Sequence, residues 1–253
     1  MHSHIPTLFR NPTIWTSQPR LIAAESTRHG GVSLPPYHSL NLGGQGTDSP
    51  ENILENNHRF FNALQVSYER VAKSHQIHGT EVLHVTEPGA YQGYDALVTN
   101  HVNIQLAVTI ADCTPILIFD PVQGAIAAIH AGWRGTAGKI VEKTLKTMEA
   151  TFHTQAKDCQ AYIGTCIDYA SFEVGPEVAE HFDQDLKDWD PSRGKFMVDL
   201  KGANRKQLLA AGLQADQIEV SPYSTVLNSG DYFSYRHEQG TTGRMLATIG
   251  LRF

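Results

Sequence analysis

Cysteine is scarce in this chain of 253 residues: Cys113, Cys159 and Cys166 are the three present. None forms a CxxC pair, and three such residues describe no disulfide framework, so thiols in a reducing compartment are expected. Long apolar runs are missing too. None reaches the roughly 18 residues that mark a membrane span, and Met1-His2-Ser3-His4 lacks the basic start and apolar stretch of a secretory signal. The expected location is therefore the cytoplasm, with no membrane partner. Positive charge is not in surplus either: 20 Lys and Arg against 26 Asp and Glu leave a formal net charge of -6, which removes the electrostatic footprint of a nucleic-acid binder. No repeat, low-complexity tract or Pro/Ser-rich linker interrupts the chain, so residues 1–253 read as one domain.

What is present suits a substantial core, with 41% hydrophobic and 18% charged residues. Ser49-Pro50-Glu51 places an N-cap before a first-turn proline, and Ile53, Leu54, Asn57, Phe60, Phe61 and Leu64 recur at helical spacing, predicting a helix over about 50–64. Two short extended segments follow, at 71–77 and 81–85, and Gly79-Thr80 between them predicts a hairpin with His78 at its turn. The runs 104–110, 115–119 and 125–131 are almost wholly apolar, as expected of central strands buried on both faces. From Thr136 the period becomes helical, with Ile140, Val141, Thr144, Leu145 and Met148 on one face, predicting a helix to about Ala150. Further helices are expected around 176–182 and 202–211, and a terminal strand over 244–253. Strands and helices are mixed without regular alternation, which points to the α+β class.

Asp120-Pro121-Val122-Gln123 is a turn signal between two apolar strands. A hairpin centred between Pro121 and Val122 sets Cys113 opposite His130, within reach of a shared metal ion. The sequence also departs from strand chemistry here, at Ala111-Asp112-Cys113-Thr114-Pro115 and at His130-Ala131-Gly132-Trp133-Arg134-Gly135. Such breaks at strand ends often mark sites. Glycines 132, 135 and 138 permit close approach of backbone to a ligand, and Thr136 near the expected helix start offers N–H groups to an anion. A plainer reading stands beside this one: a lone Cys in an apolar stretch is commonly a small core residue, and a buried His commonly a hydrogen-bonded one. The residues alone leave both open.

Gln76-Ile77-His78-Gly79 and the two blocks just quoted resemble the signature blocks of the YfiH-like family. This is the family of purine nucleoside phosphorylase / laccase-domain proteins, formerly multicopper polyphenol oxidases, with peptidoglycan editing factors among its members. Supporting blocks run through the chain: Thr27 to Ser33, Tyr37 to Gly43, Asp95 to Thr99, Phe172 to Gly175, Phe233 to Arg236 and Thr242 to Arg244. The resemblance implies a layered α/β/β/α fold with mixed β-sheets flanked by helices. It implies metal ligands at His78, Cys113 and His130, which would also be the catalytic residues, and phosphorolysis of adenosine, inosine and S-methyl-5'-thioadenosine, with adenosine deamination as a side activity. The chain departs from the family pattern at Gly164-Thr165, Asp168-Tyr169 and Ser224, and the loop 164–173 is expected to line the pocket.

Two imidazoles and a thiolate leave a zinc ion one open position, the pattern of a catalytic site. Arg28, Arg134, Arg236 and Arg244 are candidate phosphate clamps because guanidinium matches phosphate bidentately, and Asn41 is a candidate for a sugar hydroxyl or purine edge. Purine nucleosides and phosphate are thus the expected small-molecule partners. A second class of function is a cysteine-type amidase acting on a cell-wall precursor, with Cys113 as nucleophile and His130 as base. A copper-dependent laccase is a third. A four-copper enzyme needs about ten His and Cys ligands with repeated HxH pairs, and only His2-Ser3-His4 has that spacing, so zinc is expected rather than copper. Two motifs are excluded: the stretch from Gly132 to Ile140 is no Walker A loop, and no HxE with PCxxC marks a nucleobase deaminase.

Overall fold

The structure is a computed structural model and describes residues 7–44 and 46–252. His2-Ser3-His4 and Phe253 lie outside the described residues. The apolar runs of the sequence become central strands of two six-stranded mixed sheets. The first runs, in spatial order, Phe9–Arg10, Leu21–Ser26, Met245–Leu251, Gln105–Ile110, Val71–His75 and Gly89–Gln92. The second runs Ile218–Val220, Gln160–Ile163, Thr114–Asp120, Ala125–Ala131, Ala96–Thr99 and Val82–His84.

The two sheets pack face to face, and the pleat decides which side chain goes where. In the second sheet Leu117, Phe119, Ile126 and Ala128 point inward, where they meet Leu106, Val108, Ala247 and Ile249 of the first. Their alternating neighbours Ile116, Ile118, Ala127 and Ile129 point outward into a second core. Strands buried on both faces carry no polar alternation, which is why these runs read as continuous. Each fully buried Leu or Ile contributes roughly 1.5–3 kcal/mol of transfer free energy, so neither face tolerates a charge.

Helices cover both outer faces. Helix α1 (Pro50–Ala63) starts where predicted, with the Ser49 side chain accepting from the Asn52 N–H and Pro50 in its first turn. It sets Phe60 and Phe61 against Ala24, Ala107 and Leu246 of the first sheet, while Leu54 stays exposed. On the second sheet lie α2 (Trp133–Ala137), α3 (Ile140–Phe152) and α5 (Leu200–Ala211), α4 being the short Pro176–Ala179. Helix α3 buries the predicted face of Ile140, Val141, Thr144, Leu145 and Met148. A three-stranded sheet, Glu173–Val174, Lys195–Val198 and Lys187–Asp190, packs with α4 beside this body. The order helix, sheet, sheet, helix is the layered α/β/β/α arrangement of the α+β class. Among the described residues no helix is long and apolar enough to cross a membrane.

Five local expectations are corrected. The single helix from Thr136 is two helices: Lys139 adopts a left-handed φ of 60°, and Gly138 packs so close to Thr80 that a Cβ there would lie 2.6 Å from its methyl group. The Thr136 N–H consequently belongs to α2 and donates to the Gly132 carbonyl, so it offers nothing to an anion. The helix expected over 176–182 ends at Ala179. The predicted hairpin of 71–77 with 81–85 does not form, because Val71–His75 pairs in the first sheet and Val82–His84 in the second.

The last correction concerns register. Pro115, not Cys113, pairs with His130, and the loop between the strands has four residues, 121–124, where two were expected. Asp120 draws the turn out by accepting from the N–H groups of Val122 and Gln123, and Gly124 closes it at φ 63°. Cys113 thus precedes its strand and sits in the bend that joins the two sheets.

Candidate metal centre

The three residues marked by sequence converge although the register was wrong. His130 is the penultimate residue of Ala125–Ala131 in the second sheet. Cys113 lies in the short bend where the chain leaves Gln105–Ile110 of the first sheet for Thr114–Asp120 of the second. His78 lies in another passage between the sheets, from Val71–His75 to Val82–His84. Two crossovers and one strand end therefore bring two rings and a sulfur together, with their candidate ligand atoms all within 4.8 Å of one another. The His78 and His130 rings meet edge to face, 4.9 Å between centroids. His130 is buried, Cys113 half-buried and His78 exposed, so the group opens to solvent on one side.

A residue without an assigned role in the sequence holds this group in place. Asp95 is fully buried at the start of Ala96–Thr99. Its carboxylate accepts from the backbone N–H groups of Ile77 (3.2 Å), His78 (3.0 Å) and Gly79 (2.7 Å), and from His130 Nδ1 (2.8 Å). These bonds explain the crossover: they fold 77–79 around a carboxylate and leave His78 at φ 60°. An ionised carboxylate only accepts, so His130 carries its proton on Nδ1 and keeps Nε2 for a ligand. Burial pushes the Asp95 carboxyl up, but the His130 bond and the Gly79 N–H hold it below the usual carboxylate range.

The metal-free electrostatics are those of an ion pair. Burial pushes the Cys113 thiol up, yet the charge of His130 and hydrogen bonds from both imidazoles bring it down to about 6. Burial likewise disfavours the charged His130, and the Cys113 thiolate and Asp95 raise it to about 9. Cys159 and Cys166, in apolar surroundings, are both pushed up to about 12 by burial, so the thiolate character belongs to Cys113.

The donor set fits a metal ion. One sulfur and two imidazole nitrogens around a tetrahedral ion stand roughly 3.3–3.8 Å apart, slightly closer than the 4.8 Å limit found here. Gly132 keeps the space clear: a Cβ there would lie 3.0 Å from Cys113 Sγ and 3.1 Å from His78 Cδ2. The carboxylate behind His130 is the partner expected for a metal-bound imidazole.

The three residues line a cavity of about 450 Å³, in the range of small-molecule sites. Its walls include Trp133, Phe172 and Tyr235 together with Arg236 and Arg244. A larger groove of about 890 Å³ between α3 and α5 contains none of the three.

Of the five substrate-binding candidates, Arg236 and Arg244 line this cavity. Arg244 Nη1 donates to the carbonyls of Thr242 and Gly243, and the guanidinium lies over the Tyr235 ring, 5.6 Å from its centroid. Arg236 donates to the carbonyls of Ser171 and Glu173 and pairs with the Glu173 carboxylate at 3.9 Å. The other three lie outside the cavity lining. Arg28 is engaged by Glu238 at 3.0 Å and by the Ser229 carbonyl, and stacks on Phe233. Asn41 is buried, donates to Asp48 and accepts from the Arg244 N–H, so it supports the arginine from behind. Arg134 is exposed and lies over the ring of Trp133. Sequence reasoning missed Asp95, whose one local signal is an isolated acid opening an apolar strand, and the aromatic walls, which carry no motif.

The family described as multi-copper polyphenol oxidoreductase laccase matches residues 22–252. A purine nucleoside phosphorylase of Deinococcus radiodurans is 40% identical over 230 residues, covering 90% of this chain and 88% of that protein. Purine nucleoside phosphorylase YlmD of Geobacillus stearothermophilus is 35% identical over 247 residues, covering 91% and 90%. The crystal structure of YlmD from Geobacillus stearothermophilus superposes with a TM-score of 0.90 at 32% identity, covering 98% of this chain and 100% of that one.

Proposed function

The chain belongs to the YfiH-like family, described as multi-copper polyphenol oxidoreductase laccase, and from that premise we propose that it is a zinc-dependent purine nucleoside phosphorylase. Adenosine, inosine and S-methyl-5'-thioadenosine are its substrates, and adenosine deamination is a side activity. The relatives named purine nucleoside phosphorylase support the reading. The observation that carries it is the composition of one cavity, which joins a His-Cys-His donor group, three aromatic side chains and two arginines.

In phosphorolysis the bond from ribose C1' to the purine nitrogen breaks, its electron pair leaves with the base, an oxygen of phosphate bonds to C1', and a proton joins the base. Trp133, Phe172 and Tyr235 supply the flat apolar surfaces on which a purine stacks. Arg244 and Arg236 bind the phosphate and hold it for attack, a guanidinium matching two phosphate oxygens at once. His78, Cys113 and His130 would hold zinc, with Asp95 fixing the His130 ring. When bound, the ion supplies Lewis-acid polarisation of a substrate heteroatom. Zinc suits the set better than copper because the reaction moves no electrons to an acceptor and zinc keeps one position open in a three-ligand site. Free thiols at Cys113, Cys159 and Cys166 accord with a cytoplasmic setting.

The test is purified zinc-loaded protein with inosine. Hypoxanthine and ribose 1-phosphate should appear in equal amounts and only with phosphate; base release that ignores phosphate, or none, sinks the reading. Ammonia release from adenosine checks the side activity. One observation favours a second reading. Without metal, Cys113, His130 and Asp95 form a sulfur-imidazole-carboxylate chain, the arrangement of a cysteine amidase acting on a peptidoglycan precursor. Amide cleavage that survives complete chelation of metal would select that reading over the first.

A further inference from the structure

We propose that Asp112 is a positioning residue that fixes the metal ligand Cys113 and the anion-binding Arg236 in one cavity. Four observations carry this. Asp112 lines the cavity and immediately precedes Cys113. It holds a φ of 88°, a conformation costly for a side chain with a Cβ and kept only where the surroundings enforce it. Its carboxylate is spent on a distant part of the chain: Oδ1 accepts from the hydroxyls of Thr225 and Ser234, the latter at 2.7 Å, and Oδ2 accepts from the Arg236 N–H at 2.7 Å. Its own carbonyl accepts from the Ile167 N–H at 3.0 Å.

The consequence is mechanical. One residue ties the Cys113 bend to the 225–236 segment and to the loop carrying Ile167. Arg236 extends the tie, since its guanidinium donates to the carbonyls of Ser171 and Glu173 on either side of the wall residue Phe172. With three donors on its two oxygens, the Asp112 carboxylate has little capacity left for proton transfer, so its contribution is placement. The inference rests on the nucleoside reading only for the role of Arg236; the placement of Cys113 does not need it.

The experiment compares Asp112→Ala with Asp112→Asn. Asparagine tolerates positive φ, can turn its amide oxygen to the Arg236 N–H, and can donate to the two hydroxyls, which accept. Zinc affinity is measured by competition with a chromophoric chelator, alongside thermal stability and the KM for inorganic phosphate. Asp112→Ala should hold zinc at least about tenfold more weakly, the size of effect typical for groups that orient metal ligands, and raise the phosphate KM by a similar factor, while Asp112→Asn stays within about threefold of wild type. Should Asp112→Ala fail to fold, the double variant Thr225→Val, Ser234→Ala removes the two hydroxyl donors with the backbone at 112 intact, and the same zinc loss is expected. A folded Asp112→Ala protein, or a folded double variant, with wild-type zinc affinity overturns the proposal. The chelator competition involves neither nucleoside nor phosphate, so weakened zinc with no phosphorolysis in the wild type upholds Asp112 and sinks the nucleoside reading alone.

Discussion

Replacing Asp95 by Asn tests the centre of the site with a change of one atom. The carboxylate receives four donors, two on each oxygen: His78 N–H and His130 Nδ1 on Oδ1, Ile77 and Gly79 N–H on Oδ2. An asparagine offers one oxygen and one NH2, so in either orientation two donors lose their acceptor and face N–H groups. Each buried unsatisfied donor costs about 1–3 kcal/mol, which gives a loss of roughly 2–6 kcal/mol in the metal-free protein. One escape exists: His130 can switch tautomer and accept from the amide through Nδ1. That places the proton on Nε2, the nitrogen needed for metal, so the escape exchanges stability for affinity. Zinc binding should weaken about 10- to 100-fold, or about 1.4–2.8 kcal/mol. Urea unfolding of metal-free protein and chelator competition read the two effects. Since the Asp95 carboxyl titrates below its ordinary value in the fold, its stabilisation is present above the unfolded pKa of about 3.9 and is lost as pH falls through the lower folded value. The gap between wild type and variant should therefore close on acidification below about pH 4. A metal-free variant destabilised by less than about 1 kcal/mol, with unchanged zinc affinity, would refute the assignment of Asp95.

Three further outcomes are expected. Gly132→Ala places a methyl group 3.0 Å from Cys113 Sγ and 3.1 Å from His78 Cδ2, so it should fold yet bind zinc at least about tenfold more weakly; a full complement by elemental mass spectrometry contradicts the crowding argument. Arg244→Ala removes a half-buried cavity guanidinium whose Nη1 is bonded to two backbone carbonyls, and the phosphate KM should rise at least about tenfold, as for loss of a charged hydrogen bond; an unchanged KM moves the phosphate site elsewhere. In chelator-treated protein, Cys113 should react with iodoacetamide at half its maximal rate near pH 6, because His130 stabilises its thiolate; a midpoint in the ordinary thiol range, about 8.5, means that the pair does not form.

How far the sequence carried depends on the range of the interaction being read. Helix α1 and the buried face of α3 were legible because a cap, a proline and a 3.6-residue period are local. The central strands were legible because burial on both faces leaves continuous apolar runs. The hairpin around His78 failed for the complementary reason. Two short extended segments look alike whether they pair with each other or with different sheets, and what separates them is Asp95, 16 residues beyond Gly79. Arg28 and Arg244 make the same point. Both sit beside glycine-rich turns and read as equal phosphate candidates, yet Glu238, 210 residues from Arg28, occupies one guanidinium while Arg244 faces the cavity. The register error at Asp120 shows the smallest case, where a side chain accepting from two N–H groups lengthens a loop and moves Cys113 off its strand. The group still converges because two of its three members, Cys113 and His78, are not held by strand register. Cys113 and His78 stand on crossovers set by Asp112 and Asp95, each a carboxylate gathering N–H or O–H donors from distant parts of the chain. Two acids, Asp95 buried and Asp112 half-buried, release a bend from its neighbouring strands and place a sulfur and a ring where sheet geometry alone does not, and neither acid is visible to a search for periodicity.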